Sequence, residues 1–307
     1  MSGPRGASRS NGMDGYPARR SSLSVPGSSE RMLEKAAGLD ADEIVVDLED
    51  SVTPEAKEAA RTRVGEFLAK ERLAAAAVAV RVNPLASAWG KRDVVELVRR
   101  AGGLIDSLII PKVERPEEVV EVQRLLESEG ARSTGVRLQA LIETAAGLLH
   151  VAEIAAASPL LESLILGYED LAASLGRVPG TTTPGRWLYA QERLLVAARA
   201  SGLQAIDGPY LDIRDPAGLR QRAEHVQALG FDGKWAVHPD QLPIINATFT
   251  PTAEQLARAQ EILDALGGAQ GQGAIALHGE MIDEASRKLA LQVVARGRAP
   301  RTESALR

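Results

Sequence analysis

From residue 23 onward, short runs of apolar and β-branched residues alternate with longer segments whose apolar residues recur at helical spacing. Nothing else in the sequence restricts the fold as strongly. The short runs are 23–25, 43–48, 77–82, 107–110, 136–142, 161–167, 203–206 and 234–237, eight candidate strands in all. Between them, residues 54–71 bring Ala56, Ala60, Val64, Phe67 and Leu68 to one helical face, and residues 117–128 do the same with Val119, Val122, Leu125 and Leu126. A helix between successive strands makes the strands parallel, and eight such units in 307 residues match an α/β fold of the (β/α)8 TIM-barrel type. An open dinucleotide-binding sheet would carry a G-x-G-x-x-G turn after its first strand, and "VPGSSERM" lacks that spacing.

Composition narrows the chemistry. Thirty-six basic against 41 acidic residues give a net charge of −5, without the basic excess that neutralising a phosphate backbone demands, so no nucleic-acid partner is expected. The absence of cysteine removes disulfides, thiolate nucleophiles and thiolate metal ligands, and leaves any metal to oxygen or imidazole donors. Residues 1–19 are rich in Gly, Ser and Pro and lack the apolar segment of a secretory signal, which predicts a disordered tail. No apolar run approaches the roughly 18 residues that span a bilayer. The expectation is a soluble cytoplasmic protein with no membrane partner.

A barrel of this kind places its active site at the C-terminal ends of the strands, so the residues closing each run carry the functional signal. In order they are Pro26 and Gly27; Asp47, Glu49 and Asp50; Arg81 and Asn83; Lys112; Glu143; Gly167 to Asp170; Asp207; and His238. Each alone also fits a helix cap or a solvated loop start. Together they crowd carboxylates into one mouth, which requires a compensating charge from Arg81 or a divalent cation. Mg²⁺ typically takes one or two protein carboxylates and fills its other positions with water and substrate, and Glu143 and Asp170 fit that sparse pattern. Lys112 offers a different chemistry, a Schiff base of the metal-free aldolase kind. His238, followed by proline, reads as a structural strand end.

The motifs "RRSSLSVPGSSERMLEKA", "DEIVVDLEDSVTPEAKEAAR", "VRVN", "LIIPKVE", "LIETAAGLLHVAEIA", "LILGYEDLAASLG", "AIDGPYLDIRDPAGL", "GFDGKWAVHPDQL" and "GAIALHGEMIDEA" follow one another over residues 19–295. In order and spacing this chain resembles the citrate lyase beta-subunit-like family of the HpcH/HpaI aldolase/citrate lyase superfamily and is similar to malyl-CoA and citramalyl-CoA lyases. The resemblance implies a barrel over 20–250, C-terminal helices with a lid over 251–297 and a flexible tail over 298–307. It implies a Mg²⁺-dependent carbon–carbon lyase of the oxo-acid class (4.1.3-type). Such an enzyme cleaves or forms a β-hydroxyacyl-CoA such as malyl-CoA or citramalyl-CoA, giving an acyl-CoA and a 2-oxo acid, with thioesterase side activity. CoA is then part of the substrate, and the enzyme is a homotrimer.

Carried onto this sequence, the family's metal ligands fall on Glu143 and Asp170, its substrate arginine on Arg81, and its lid acid on Asp283 of "GEMID". Arg81 would stabilise the enolate oxyanion and Asp283 would move the proton at its carbon. Gly167, Tyr168 and Glu169 would line the substrate beside Arg81 and Glu143, with Glu169 orienting the loop or a water. Asp47 and Asp50 would hold metal waters. Arg20, Pro26 and Gly27 would meet the CoA phosphates. Two local readings compete: Glu143 as a charge at the start of a helix, and Asp283 as an N-cap. Two other functions compete as well, a metal-dependent aldolase on CoA-free 2-oxo acids and a non-catalytic citrate lyase-like subunit.

Overall fold

A computed structural model describes residues 17–70, 73, 75, 77–130, 135–178, 185–268 and 273–297. Most of the expected N-terminal tail and the whole C-terminal tail therefore lie outside the described residues. The chain divides into two compact units, residues 1–246 and 247–307.

The first unit is the barrel. Strands β1 (Ser21–Pro26), β2 (Glu43–Asp47), β3 (Ala77–Arg81), β4 (Ser107–Ile110), β5 (Arg137–Ile142), β6 (Leu161–Leu166), β7 (Gln204–Asp207) and β8 (Gly233–Ala236) pair in sequence order and close on themselves. Every pairing in the barrel is parallel, and β1 meets β8 with Ser22 opposite Trp235. Outside run α1 (Glu30–Ala36), α2 (Lys57–Lys70), α3 (Gly90–Ala101), α4 (Pro116–Ser128), α5 (Ala145–Leu149), α6 (Val151–Ala155), α7 (Tyr168–Ser174), α8 (Leu188–Ala200) and α9 (Pro216–Leu229). The faces expected of α2 and α4 are buried at Ala60, Val64, Phe67 and Leu68 and at Val119, Val122 and Leu126.

Strand periodicity sorts the barrel interior into layers. Val45, Ala79, Ile109, Leu141, Ile165, Ile206 and Trp235 form one buried apolar cluster, drawn from seven strands. Side chains two residues away on a strand share its face. Two residues toward the N-terminal ends lie Glu43, Ser107, Gln139, Ser163 and Gln204, all buried. Two residues toward the C-terminal ends lie Asp47, Arg81, Glu143 and Gly167. The apolar layer thus separates a polar base from a polar mouth. Truncating one of its aliphatic side chains, such as Ile165→Ala, costs about 2–5 kcal/mol by the usual core rule.

Arg19 closes the base. The sequence reading ended the tail at residue 19, yet Arg19 is 1% exposed. Its Nε donates to Glu43 at 2.8 Å, its Nη1 to Gln204 at 2.6 Å, and its Nη2 to Glu162. Gly233 permits this, because a Cβ there would stand 1.7 Å from the Arg19 carbonyl oxygen. Polar residues at 19, 21 and 22 gave no apolar signal, which is why β1 begins two residues before the run read from sequence.

The unit boundary falls within α10 (Leu242–Phe249), whose last three residues open the second unit, followed by α11 (Ala253–Gly268), a hairpin of β9 (Ala274–Leu277) and β10 (Glu280–Asp283), and α12 (Glu284–Gly297). The expected helices are present, but the hairpin was not read from the sequence. His278 and Gly279, at φ 51° and 87°, supply the left-handed pair that a tight two-residue hairpin turn uses. No described helix is long and apolar enough to cross a membrane.

Candidate active site at the barrel mouth

Arg81, the last residue of β3, is held from below. Its Nε and Nη2 donate to the two oxygens of Asp47, each at 2.7 Å. The same Asp47 oxygens accept from the Glu49 amide at 2.8 Å and the Ser51 amide at 3.1 Å. Burial pushes the Asp47 carboxyl up, but the Arg81 hydrogen bonds and charge outweigh it and hold the group below its usual range. Asp47 is therefore an ionised clamp whose oxygens are taken, and its role is to fix Arg81 and the β2 loop. Arg81 Nη1 lies 3.0 Å from Glu49 Oε2 and 3.8 Å from Asp50 Oδ2.

Glu49, named in the sequence among the strand-end residues but given no role of its own, continues the alternation that points Asp47 inward. It is 3% exposed. Its Oε1 accepts from Lys112 Nζ at 2.6 Å, while no donor is aligned on its Oε2. Burial raises its pKa further than Arg81 and Lys112 lower it. Lys112 takes the left-handed backbone at φ 51°, uncommon for a residue with a side chain and found most often where function demands it. That turn lets its amide donate to Glu143 Oε1 at 2.9 Å while its ammonium stands 3.5 Å from Asp50 and 3.8 Å from Asp170. Burial lowers the Lys112 pKa, but Glu49, Glu143 and Asp50 more than reverse this, so the amine stays protonated. A Schiff base needs the neutral amine, which the acids around Lys112 disfavour.

Glu143 follows β5 and lies over Gly167 at the end of β6. A Cβ on Gly167 would meet Glu143 Cβ and Oε2 at 2.6 Å, so only glycine leaves room for this carboxylate. Burial first, then the charges of Glu49 and Asp170, push the Glu143 pKa up to about 8, beyond what Lys112 and Arg81 offset. Thr144, not Glu143, caps the following α5 by accepting from the Gly147 amide at 3.0 Å, which sets aside the helix-charge reading of Glu143. Asp170 sits in the first turn of α7 and is partly exposed toward Lys112, whereas its neighbour Glu169 is exposed. The mouth thus gathers five carboxylates around two cations.

A divalent cation fits this donor set. Among the described residues no three acids or histidines converge as a ready-made metal cage. Mg²⁺ does not need one, since it commonly uses one or two carboxylates plus water and substrate oxygens. Two features point the same way: a buried Glu143 carboxyl that its acidic neighbours make costly to ionise, and a Lys112 ammonium already standing among the acids.

Other expectations fall differently. Tyr168 turns its hydroxyl to Asp207 rather than leaving it for substrate. Pro26 and Gly27 end β1 at the mouth, but Gly27 is packed against Leu48 and Val64, each 2.9 Å from where a Cβ would be. Arg20 lies at the N-terminal end of β1, the base end, with its amide, Nε and Nη2 all on Asp42 at 2.7–2.8 Å. Arg20 is therefore no CoA contact at the mouth. Asp283 belongs to the C-terminal unit, where its Oδ1 accepts from the Ala285 amide at 2.9 Å and the Ser286 amide at 3.1 Å as the cap of α12. These donors hold its pKa below the ordinary range, against a smaller opposing effect of desolvation.

An eight-stranded parallel barrel whose C-terminal mouth combines a clamped arginine with a pair of carboxylates suited to a divalent cation defines a class of barrel enzymes. The chain belongs to the HpcH/HpaI aldolase/citrate lyase family, whose model matches residues 20–239. It is 38% identical over 301 residues to an L-malyl-CoA/beta-methylmalyl-CoA lyase of Cereibacter sphaeroides, covering 91% of this chain and 95% of the relative. It is likewise 38% identical over 285 residues to a (3S)-malyl-CoA thioesterase of the same species, with the same coverage of each chain. Among solved structures it is similar to the protein CitE of Mycobacterium tuberculosis in complex with magnesium, acetoacetate and coenzyme A. The TM-score is 0.75 and the identity 31%, over 91% of this chain and 98% of that one.

Proposed function

We propose that this protein is a Mg²⁺-dependent carbon–carbon lyase acting on β-hydroxyacyl-CoA thioesters of the malyl-CoA and citramalyl-CoA type. It releases an acyl-CoA and a 2-oxo acid, or joins them in the reverse direction. The observation that carries this reading is the meeting of Glu143 and Asp170 with the clamped Arg81 at the barrel mouth. Glu143 and Asp170 would hold the metal, which when bound supplies Lewis-acid polarisation of substrate oxygens.

The remaining work belongs to the chain. Arg81, permanently charged and already oriented by Asp47, is a fixed cation for an oxyanion, so little reorganisation accompanies charge development. Cleavage removes the hydroxyl proton, breaks the carbon–carbon bond and leaves a thioester enolate, whose α-carbon then takes a proton. Asp283 is the proposed carrier of that proton, because its hydrogen bonds fall on Oδ1 and leave Oδ2 for transfer. Its low pKa favours the ionised form, the state needed to remove the α-proton in condensation. As part of the same reading the protein acts in the cytoplasm as a homotrimer, for which the exposed Met281, Leu289 and Leu291 of the C-terminal unit are candidate contacts.

Purified protein with Mg²⁺ and malyl-CoA or citramalyl-CoA should yield acetyl-CoA with glyoxylate or pyruvate. Turnover of a CoA-free hydroxy-oxo acid alone would overturn the reading. Asp283→Asn should lose turnover while retaining Mg²⁺ binding, and unchanged activity would remove Asp283 from the mechanism. Hydrolysis of the thioester is the second reading, favoured by the similarity to the (3S)-malyl-CoA thioesterase, and free CoA as the first product would identify it.

A further inference from the structure

A second buried polar group joins the ends of β7 and β8 to the start of α7, and no residue of it takes part in the steps above. Lys234 and Asp207 are each 1% exposed, and Lys234 Nζ donates to Asp207 Oδ2 at 2.5 Å and to the Gly208 carbonyl at 2.6 Å. The other Asp207 oxygen accepts from the Tyr168 hydroxyl. That hydroxyl in turn accepts from Gln191 Nε2, on α8, at 2.8 Å, and Gln191 Oε1 faces His225 Nε2 at 3.3 Å.

The Tyr168 ring is fixed as well. It packs on Trp187 in a tilted arrangement with centroids 5.0 Å apart, and it crosses Gly208 so closely that a Cβ there would meet Tyr168 Cδ2 at 2.9 Å and the Leu166 carbonyl at 2.2 Å. Tyr168 opens α7, a helix of seven residues, and Asp170 stands in the same first turn. So short a helix has little stiffness of its own, since isolated turns are unstable without tertiary packing. Gly167, immediately before, is covered by Glu143. Further along α7 the anchors are buried Leu171 and the Ser174 hydroxyl, which accepts from the Ala145 amide at 2.9 Å, while in the first turn Tyr168 is the residue tied to β7 and α8.

We propose that Tyr168, locked by Asp207, Lys234 and Gln191, is a positioning residue that fixes the first turn of α7 and so sets where Asp170 presents its carboxylate to a divalent cation shared with Glu143. The proposal rests on Glu143 and Asp170 forming the cation site. The hydroxyl of Tyr168 is spent on internal hydrogen bonds, so its contribution passes through Asp170 and not through contact with substrate.

Mn²⁺ binding to the whole purified chain, followed by electron paramagnetic resonance and calorimetry without substrate, tests this. Tyr168→Phe keeps the ring packing and removes only the hydroxyl. It is expected to weaken Mn²⁺ about tenfold, the size of effect common when a group orienting a metal ligand is lost. Gln191→Leu removes the hydroxyl's other partner from a different helix and is expected to shift affinity in the same direction. Ser163→Ala deletes a buried hydroxyl of the base, which donates to Gln139 at 2.7 Å, and should lower the melting temperature while leaving Mn²⁺ affinity unchanged. Wild-type affinity in both Tyr168→Phe and Gln191→Leu overturns the proposal alone. Absence of Mn²⁺ binding by the unaltered protein overturns the cation site and the proposal with it.

Discussion

The two ends of the barrel are built from the same parts and differ in how their charges balance. At the base, Glu43 and Glu162 meet Arg19 and, at 3.8 Å, Arg137, with Gln139, Gln204, Ser107 and Ser163 completing the network. At the mouth, Asp47, Glu49, Asp50, Glu143 and Asp170 meet Arg81 and Lys112. Burial lifts a carboxyl at both ends, Glu162 to about 7 and Glu143 to about 8, so a raised pKa by itself does not mark the working end. An excess of acid with a route to solvent does. Glu162 is sealed at 3% side-chain exposure, whereas the mouth grades from buried Glu143 to Asp170 at 39% and Asp50 at 58%.

The sharpest way to break this contrast is to neutralise one acid at each end. Glu143→Gln should abolish Mg²⁺ binding and lower metal-dependent turnover by about a thousandfold or more, since several kcal/mol of charge stabilisation go with the metal. Glu162→Gln should leave kcat close to that of the unaltered protein. Equal losses of turnover would erase the distinction between the ends.

Exchanging the arginines separates catalysis from stability. Arg81→Met should cost roughly 10²–10³ in kcat, the usual loss for a fixed oxyanion donor. Arg19→Met leaves two buried carboxylates without their main partner and should destabilise the fold by about 3–5 kcal/mol in denaturant titrations, with kcat per folded molecule retained.

Proton linkage gives a smaller effect. With a folded pKa of about 8, the Glu143 carboxyl must lose its proton to bind metal, so Mg²⁺ affinity should fall by up to about tenfold per pH unit below 8. Calorimetry in buffers of different ionisation heat should count the released proton. For the metal-free protein the sign is opposite to that of an ordinary salt-bridged acid. The folded state binds this proton more tightly than the unfolded chain, so stability is greatest below about 4.5 and is lost as pH rises toward 8. A change of melting temperature over that window, with Mg²⁺ absent, that is identical in the unaltered protein and in Glu143→Gln would contradict the burial of Glu143.

The smallest expected effect lies between adjacent acids. Exposed Glu169→Ala should change stability by no more than about 0.5 kcal/mol and leave Mg²⁺ affinity intact, whereas Asp170→Ala should lose it. Loss of Mg²⁺ binding in the Glu169 variant alone would reverse the assignment of the two acids.

Much of the architecture was legible in the sequence because periodicity is a local property. Eight apolar runs placed all eight barrel strands, and the two-residue repeat carried Val45 to Asp47, Ala79 to Arg81 and Leu141 to Glu143, from core to mouth. The hairpin at 274–283 escaped because four-residue strands give too short a pattern to separate from loop. Family motifs singled out Arg81, Glu143 and Asp170, and the fold gathers these at one end. What a residue faces across the barrel is set by strand register and closure, which join positions far apart in the chain. That is why only the tertiary structure revealed Arg19 as the plug of the base, Arg20 as the partner of Asp42 and Asp47 as the clamp of Arg81. It is also why the partners of Glu49 and Lys112 emerged only there: their charges acquire meaning from neighbours that β2, β4, β5 and β6 bring together, and one strand's sequence does not encode another's position.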